Sequence, residues 1–519
     1  MAALVLLVAS TGLEASARSA PADVAKTPLQ ESATLSTLQP SACASQALTN
    51  LGAKCYEFTA PENWDNPTGR TVRLPVAVVS NADTDPNATP VFNMPGGPGG
   101  SGHMTSENGI RSQLAELAPH RLVLVGNRGL EIAEPALLCN GMADRRGFRQ
   151  FSPDVFGIKG LRQRIDQYAE TVSACYQKLK GEGIDPTQYT DYHIARDYDE
   201  IREALGFDKI DLFGGSTGGG TVATYITYHG AHVRSAIMRS PWFPALRNRS
   251  LFDLIIESKQ YATDILSVCV RDNEECASRF PDYLMAIDRA RAILDKKPYV
   301  TSVASEVEPG GRLNIRIDGA TFLTTLYMEA DLNLAGRYNQ LPKALEAIER
   351  GDYAALDDYF GLDDVDTRPD PVSETVGGAN GHRYANLCGS MGKNRPTPEE
   401  TIAMIEREPA LLAWSSTVLC AWWGEDSDVP PSLNTLPASD VPVLAIHGQL
   451  DPCCGTRTTD FLAQSMPNLQ RVVLQAQGHG AGGACRRSVI AQFLESPNEP
   501  VDDSCKNDQP LRPWVFYGN

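Results

Sequence analysis

Three side chains far apart in the chain have the types and the order needed to cleave an acyl bond: Ser216, Asp451 and His479. A serine hydroxyl is a weak nucleophile near neutral pH. It needs a base within hydrogen-bond reach and a carboxylate that holds the base in the right tautomer. Ser216 lies in Gly214-Gly215-Ser216-Thr217-Gly218, a G-x-S-x-G pentapeptide between the apolar run Lys209–Phe213 and the helix-like GTVATYITYH. Glycines beside the serine suit a strained strand-to-helix turn that projects the hydroxyl at the head of a helix. A glycine-rich turn with an inert serine is the plainer reading, and the strand before it and the helix after it argue against that. Asp451 closes VPVLAIHGQLD and His479 closes RVVLQAQGH, so each stands just past a strand, where open parallel sheets gather reactive groups. Asp440 is the weaker rival acid because it precedes its strand. A structural histidine and a loop-capping aspartate are the plainer readings of these two positions.

The loop Asn93–Gly102 (NMPGGPGGSG) is too rich in glycine for packing, so its backbone must approach something. Its expected role is to offer the Gly97 amide to a developing oxyanion, with the Thr217 amide as the second donor. A phosphate-cradling loop would need a lysine after the last glycine, and His103 and Met104 stand there instead. Glu329 and Asp331, in TLYMEADLNL, are candidates for binding a substrate ammonium, with solvated surface charge as the plainer reading. His229 and His232 lack the helical zinc spacing and read as helix-end surface residues, and the pair Trp422-Trp423 reads as core packing. The proposed chemistry requires no cofactor and no metal.

These residues need a scaffold. Short apolar, β-branched runs at Arg70–Ser80, Thr89–Met94, Arg121–Val125, Lys209–Phe213, Ser235–Met238, Val441–His447 and Arg471–Gln475 are expected strands. Helical patterns such as Ile194–Leu205 lie between them, and that alternation implies a mostly parallel central sheet with helices on both faces. Together with the order Ser, Asp, His, this is the pattern of an α/β-hydrolase fold. Between Phe243 and Trp423 long helix-like stretches, Leu251–Asp272 and Tyr283–Leu294 among them, replace the strands and read as an inserted helical cap over the site. The expected organisation is a signal peptide at 1–20, a flexible leader at 21–40, core at 41–242, cap at 243–423 and core again at 424–519.

With a hydrophobic share of 42% and a charged share of 21%, the 519-residue chain can bury a sizeable core. Its net charge of -18 argues against nucleic acid or an anionic membrane as partner. Twelve cysteines, even in number and not in metal-like pairs, fit an oxidising compartment. With the apolar stretch Ala2–Leu13 and the small residues after it, they imply a secreted or periplasmic protein. Joining sequence neighbours gives Cys43–Cys55, Cys139–Cys175, Cys269–Cys276, Cys388–Cys420 and Cys485–Cys505, one connectivity among several the sequence allows. That pairing leaves Cys453 and Cys454 to each other. These two stand beside the expected acid and join Glu329 and Asp331 as candidates for contact with substrate.

With the motifs in place, the chain resembles the tripeptidyl aminopeptidase-like branch of the proline iminopeptidase family of α/β-hydrolases. The resemblance runs through CYEFTAPENWDNPTGRTVRLPVAV, PGGPGGSG, the serine pentapeptide, YNQLPKALEAIERGDYAAL, and VPVLAIHGQLDP to GHGAGGACRRSVIAQFL. It implies that Ser216, Asp451 and His479 form the family's triad and that Cys139–Cys175 and Cys485–Cys505 are its disulfides. The activity it implies is exopeptidase cleavage from a free N-terminus. Three departures stand at site-forming loops: Gly126-Asn127-Arg128-Gly129 where the family shows Asp-Gln-Arg-Gly, Thr217 in place of a bulky aromatic, and Cys453-Cys454 in place of Val-Thr. They point to a changed substrate, so an esterase, lactonase or amidase of a small molecule is the second expectation. An inactive hydrolase fold serving as a secreted binding protein is the third.

Overall fold

The computed structural model describes residues 35–97, 100–139, 157–243, 251–304, 311–323, 337–360, 380–408, 418–451 and 454–518. The expected signal peptide, most of the expected leader, Glu329, Asp331 and Cys453 fall outside them. Eleven strands occur among the described residues: β1 (Thr37–Pro40), β2 (Lys54–Pro61), β3 (Thr71–Val79), β4 (Val91–Met94), β5 (Leu122–Val125), β6 (Ile210–Gly215), β7 (Val233–Arg239), β8 (Tyr299–Ala304), β9 (Arg312–Ile317), β10 (Val443–Gly448) and β11 (Leu469–Leu474).

Nine of them form one sheet in the order β1-β2-β3-β5-β4-β6-β7-β10-β11. From β5 to β11 every neighbouring pair is parallel, and β1, β2 and β3 continue the sheet as antiparallel strands. All residues of β4, β5, β6 and β10 are buried, as expected of strands covered on both faces. Successive side chains of β6 point to opposite cores. Leu212 packs with Ile194, Ile201 and Val222 on one face, and Phe213 packs with Leu114, Ile237 and Phe493 on the other. Helices Asp191–Ala204 and Gly218–His229 cover the first face, and helices Glu107–Glu116 and Gly483–Glu495 cover the second.

Two parts of the sequence reading need correction. The leader was expected to run to residue 40, yet Thr37–Pro40 is a strand, paired antiparallel with Thr59–Tyr56. An edge strand is held by main-chain hydrogen bonds on one side and needs little apolar patterning, so composition does not reveal it. The stretch expected to be a helical cap also contains β8 and β9, a two-stranded antiparallel ladder with Tyr299 opposite Ile317. Its alternating residues (YVTSVA and RLNIRI) are β-type, and the helices around them mask that signal.

Disulfides join Cys43–Cys55, Cys139–Cys175, Cys269–Cys276, Cys388–Cys420 and Cys485–Cys505. Cys454 is disulfide-bonded too, to a partner outside the described residues. None of the described cysteines is free. No helix among the described residues is long and apolar enough to cross a membrane.

Candidate active site

β6 ends at Gly215, and the chain turns directly into helix Gly218–His229. The turn forces Ser216 into the left-handed region at φ 53°. A residue with a Cβ meets steric cost there, and such outliers concentrate at functional sites. Close packing around the turn excludes side chains on both sides. A Cβ on Gly218 would lie 2.1 Å from the Met94 carbonyl oxygen, and one on Gly96 would lie 2.3 Å from the Gly215 carbonyl oxygen and 3.1 Å from Ser216 Cβ. The glycine-rich loop therefore lies against the nucleophile candidate, and it does so through Gly96. Gly97 follows at φ 127°. Among the described residues the Thr217 amide donates to no carbonyl, and it stands at the positive end of the helix.

Asp451 and His479 meet. Asp451 follows β10, its side chain is fully buried, and its Oδ2 lies 3.1 Å from His479 Nδ1. The Cys454 amide donates to Asp451 Oδ1 at 3.1 Å, and the Ser240 hydroxyl donates to the same carboxylate. Burial alone would raise this carboxyl's pKa. The hydrogen bond and charge of His479, with the Ser240 and Cys454 donors, outweigh burial and hold it below the usual carboxylate range. Asp451 thus stays ionised beside the imidazole. The histidine loop carries a left-handed residue of its own, Ala476 at φ 57°, and the end of β7 carries another, Ser240 at φ 46°. The three non-glycine residues with positive φ among the described residues are therefore Ser216, Ser240 and Ala476, each beyond the carboxyl end of a parallel strand.

A small pocket opens beside the elbow, lined by Pro95, Gly96, Gly100, Asn127, Leu130, Ile194, Thr217, Thr221, His382 and Asn386. None of these side chains is a carboxylate or a permanent cation. Burial pulls His382 down to about 4, so it is neutral at physiological pH. Thr217 Oγ1 is buried without a hydrogen-bond partner. Asn127 is fixed by the fully buried Tyr198, whose hydroxyl donates to its Oδ1 at 2.8 Å. Next to it, a Cβ on Gly126 would lie 2.7 Å from Pro75 Cγ, so the ring of Pro75 fills the space where an acidic side chain would begin. Arg128 is fully buried and forms a two-point pair with Asp197, with Nε–Oδ2 and Nη2–Oδ1 both at 2.6 Å. That pair anchors the loop to helix Asp191–Ala204.

Trp423 is buried and stacks on Tyr384 at 5.6 Å, a packing role. His229 and His232 are only partly exposed and converge on Asp199, with their Nδ1 atoms 3.2 and 2.8 Å from its carboxylate oxygens. With Asp199 they form a cluster of donor atoms within 4.8 Å of one another, although Arg202 and Tyr225 already hydrogen-bond that carboxylate, each at 2.7 Å. Ser240, His382 and Asn386 were not identified from the sequence. Only Ser240 left a trace, two residues past the expected strand Ser235–Met238, which lies in the chain between the nucleophile strand and the acid strand.

Residues 90–264 match the family model of the alpha/beta hydrolase fold, and residues 410–505 match that of the TAP-like proteins. The chain has the α/β-hydrolase fold. The two matches bracket the serine elbow on one side and the acid and histidine loops on the other. Among curated relatives, the chain is 29% identical over 189 residues to the serine protease Hip1 of Mycobacterium bovis, covering 36% of this chain and 35% of that protein. It is 29% identical over 201 residues to the tripeptidyl aminopeptidase of Streptomyces coelicolor, with the same shares. The chain thus matches about a third of the length of these relatives. Among solved structures, the proline iminopeptidase of Mycobacterium smegmatis is 14% identical, with 85% of this chain and 98% of that one covered and a TM-score of 0.36.

Proposed function

We propose that this α/β-hydrolase is an exported serine hydrolase, most simply an aminopeptidase that releases single residues or short peptides from a free N-terminus. Support comes first from the strained elbow at Ser216, a conformation that costs stability and clusters at functional sites. In the proposed reaction the Ser216 proton passes to His479 as Oγ bonds to the scissile carbonyl carbon. The Gly97 and Thr217 amides receive the oxyanion, and Asp451 stabilises the imidazolium. Collapse breaks the bond to the leaving nitrogen, which takes the proton from His479. Water then repeats the sequence on the acyl-enzyme and frees Ser216. The similarity to a serine protease and to a tripeptidyl aminopeptidase supports the peptidase reading. The disulfides support an oxidising destination.

The cavity favours a second reading. Its lining is polar and uncharged, which suits a neutral ester, lactone or amide better than an ammonium group. A fluorophosphonate probe is expected to label the wild type and not Ser216→Ala. Aminoacyl anilides and aryl esters then separate the substrates: anilide turnover supports the peptidase, ester turnover without any anilide cleavage supports the second reading, and an unlabelled wild type removes both.

A further inference from the structure

We infer that Ser240 is a positioning residue that locks the acid, base and nucleophile loops to one another, an inference that rests on the serine-hydrolase reading above. Ser240 follows β7, the strand between the nucleophile strand β6 and the acid strand β10. It is fully buried. Its amide donates to the Ile446 carbonyl in β10 at 2.8 Å, which fixes its backbone at the level where the acid loop begins. Its hydroxyl then works in both directions: it donates to the Asp451 carboxylate and accepts from the Gly480 amide at 3.3 Å, next to His479. Two residues on, the Trp242 amide donates to the Ser216 carbonyl at 2.8 Å. The segment 240–242 therefore touches all three loops.

Few side chains could replace this one. The position needs a single small atom that is both donor and acceptor, which a hydroxyl is and a methyl group or a hydrogen is not. A threonine would add a methyl group where no exposed surface remains. The backbone at φ 46° suits glycine, yet a serine stands there with the strain that its Cβ brings. Strain borne at a buried position, by a hydroxyl that bridges the acid and the base loop, points to a role in their alignment.

The choice of glycine or alanine tests this. Ser240→Gly removes the hydroxyl and relieves the strain, whereas Ser240→Ala removes the hydroxyl and keeps the strain. For Ser240→Gly the expected result is a melting temperature equal to or above the wild type, with kcat on the best ester or anilide reduced about 10- to 100-fold and KM nearly unchanged. The fluorophosphonate labelling rate should fall in the same proportion. The acid limb of kcat/KM should also move to higher pH, because a carboxylate that loses a donor holds the protonated imidazole more tightly. Ser240→Ala should show the same kinetics with a lower melting temperature. If wild type is labelled at Ser216 and Ser240→Gly matches it in rate and pH profile, the inference is overturned alone. If wild type takes no label and its turnover survives in Ser216→Ala, the serine-hydrolase reading and this inference are overturned together.

Discussion

Helix Gly218–His229 has a histidine–aspartate pairing near each end, and the two differ in what else the carboxylate holds. Beyond its N-terminus, Asp451 is fully buried and takes His479, a serine hydroxyl and a backbone amide. At its C-terminus, Asp199 is partly exposed and takes His229, His232, Arg202 and Tyr225. A carboxylate that already faces a guanidinium has its charge balanced, so its histidines act as struts. A carboxylate held by neutral donors keeps its charge available for an imidazolium that forms during a reaction. The same two residue types thus serve as a clamp in one place and as proposed catalytic machinery in the other, and the neighbours decide which.

The sharpest way to break that contrast is to neutralise each carboxylate. Asp451→Asn should lower kcat by about 10⁴-fold while leaving the melting temperature close to wild type, by analogy with loss of the acid from a serine-protease triad. Asp199→Asn should do the reverse. Stability should fall by about 1–3 kcal/mol in chemical denaturation, because Arg202 and two histidines lose their acceptor, and kcat should stay within about two-fold of wild type. Loss of activity in Asp199→Asn with full stability would remove the distinction.

Acid titration of stability separates the regions more gently. Burial lowers His382 to about 4 in the folded protein, and it also lowers His103 and His193. Their unfolded value is about 6.5, so the unfolded chain binds more protons in this window. The stability they contribute is full above about pH 6.5 and declines as pH falls toward 4. Asp199 acts in the same sense at lower pH: burial would raise it, but its hydrogen bonds to His229, Arg202 and Tyr225 hold it far below the carboxylate norm. Its contribution is present above the unfolded value of about 3.9 and is lost only below it. Melting temperatures from pH 7 to pH 3 should therefore fall in two phases, with His382→Asn flattening the first and Asp199→Asn the second. The smallest effect is expected from Thr217→Val. Replacing the buried, unpartnered hydroxyl with a methyl group should leave stability unchanged or slightly higher. A raised KM for one substrate class would show that the cavity holds a polar group of that substrate.

The fold was legible where burial imposes a pattern. Strands covered on both faces must be largely apolar, so β4, β5, β6, β7 and β10 stand out in the sequence as short runs between turn residues. The edge strand β1 and its neighbour β2 carry prolines and charges, and the ladder of β8 and β9 lies among helices, so composition hid all four. At the site, the residue spacing around Ser216, and Asp451 and His479 beyond their strands, could be read because local geometry demands those types. Ser240, His382 and the convergence of His229 and His232 on Asp199 could not. Their roles arise from chain segments tens to hundreds of residues apart, and no local rule ties a serine at 240 to a glycine at 480.

β7 and β10 are hydrogen-bonded neighbours, with Ala236 opposite Val443, although some two hundred residues separate them in the chain. The hydroxyl and its proposed base therefore lie on opposite sides of a very long detour. A ribosome completes the elbow well before it reaches His479, and until then the growing chain carries an unassisted alcohol. The proposed hydrolysis can begin only once the detour has closed, so on that reading the order of synthesis itself delays its onset.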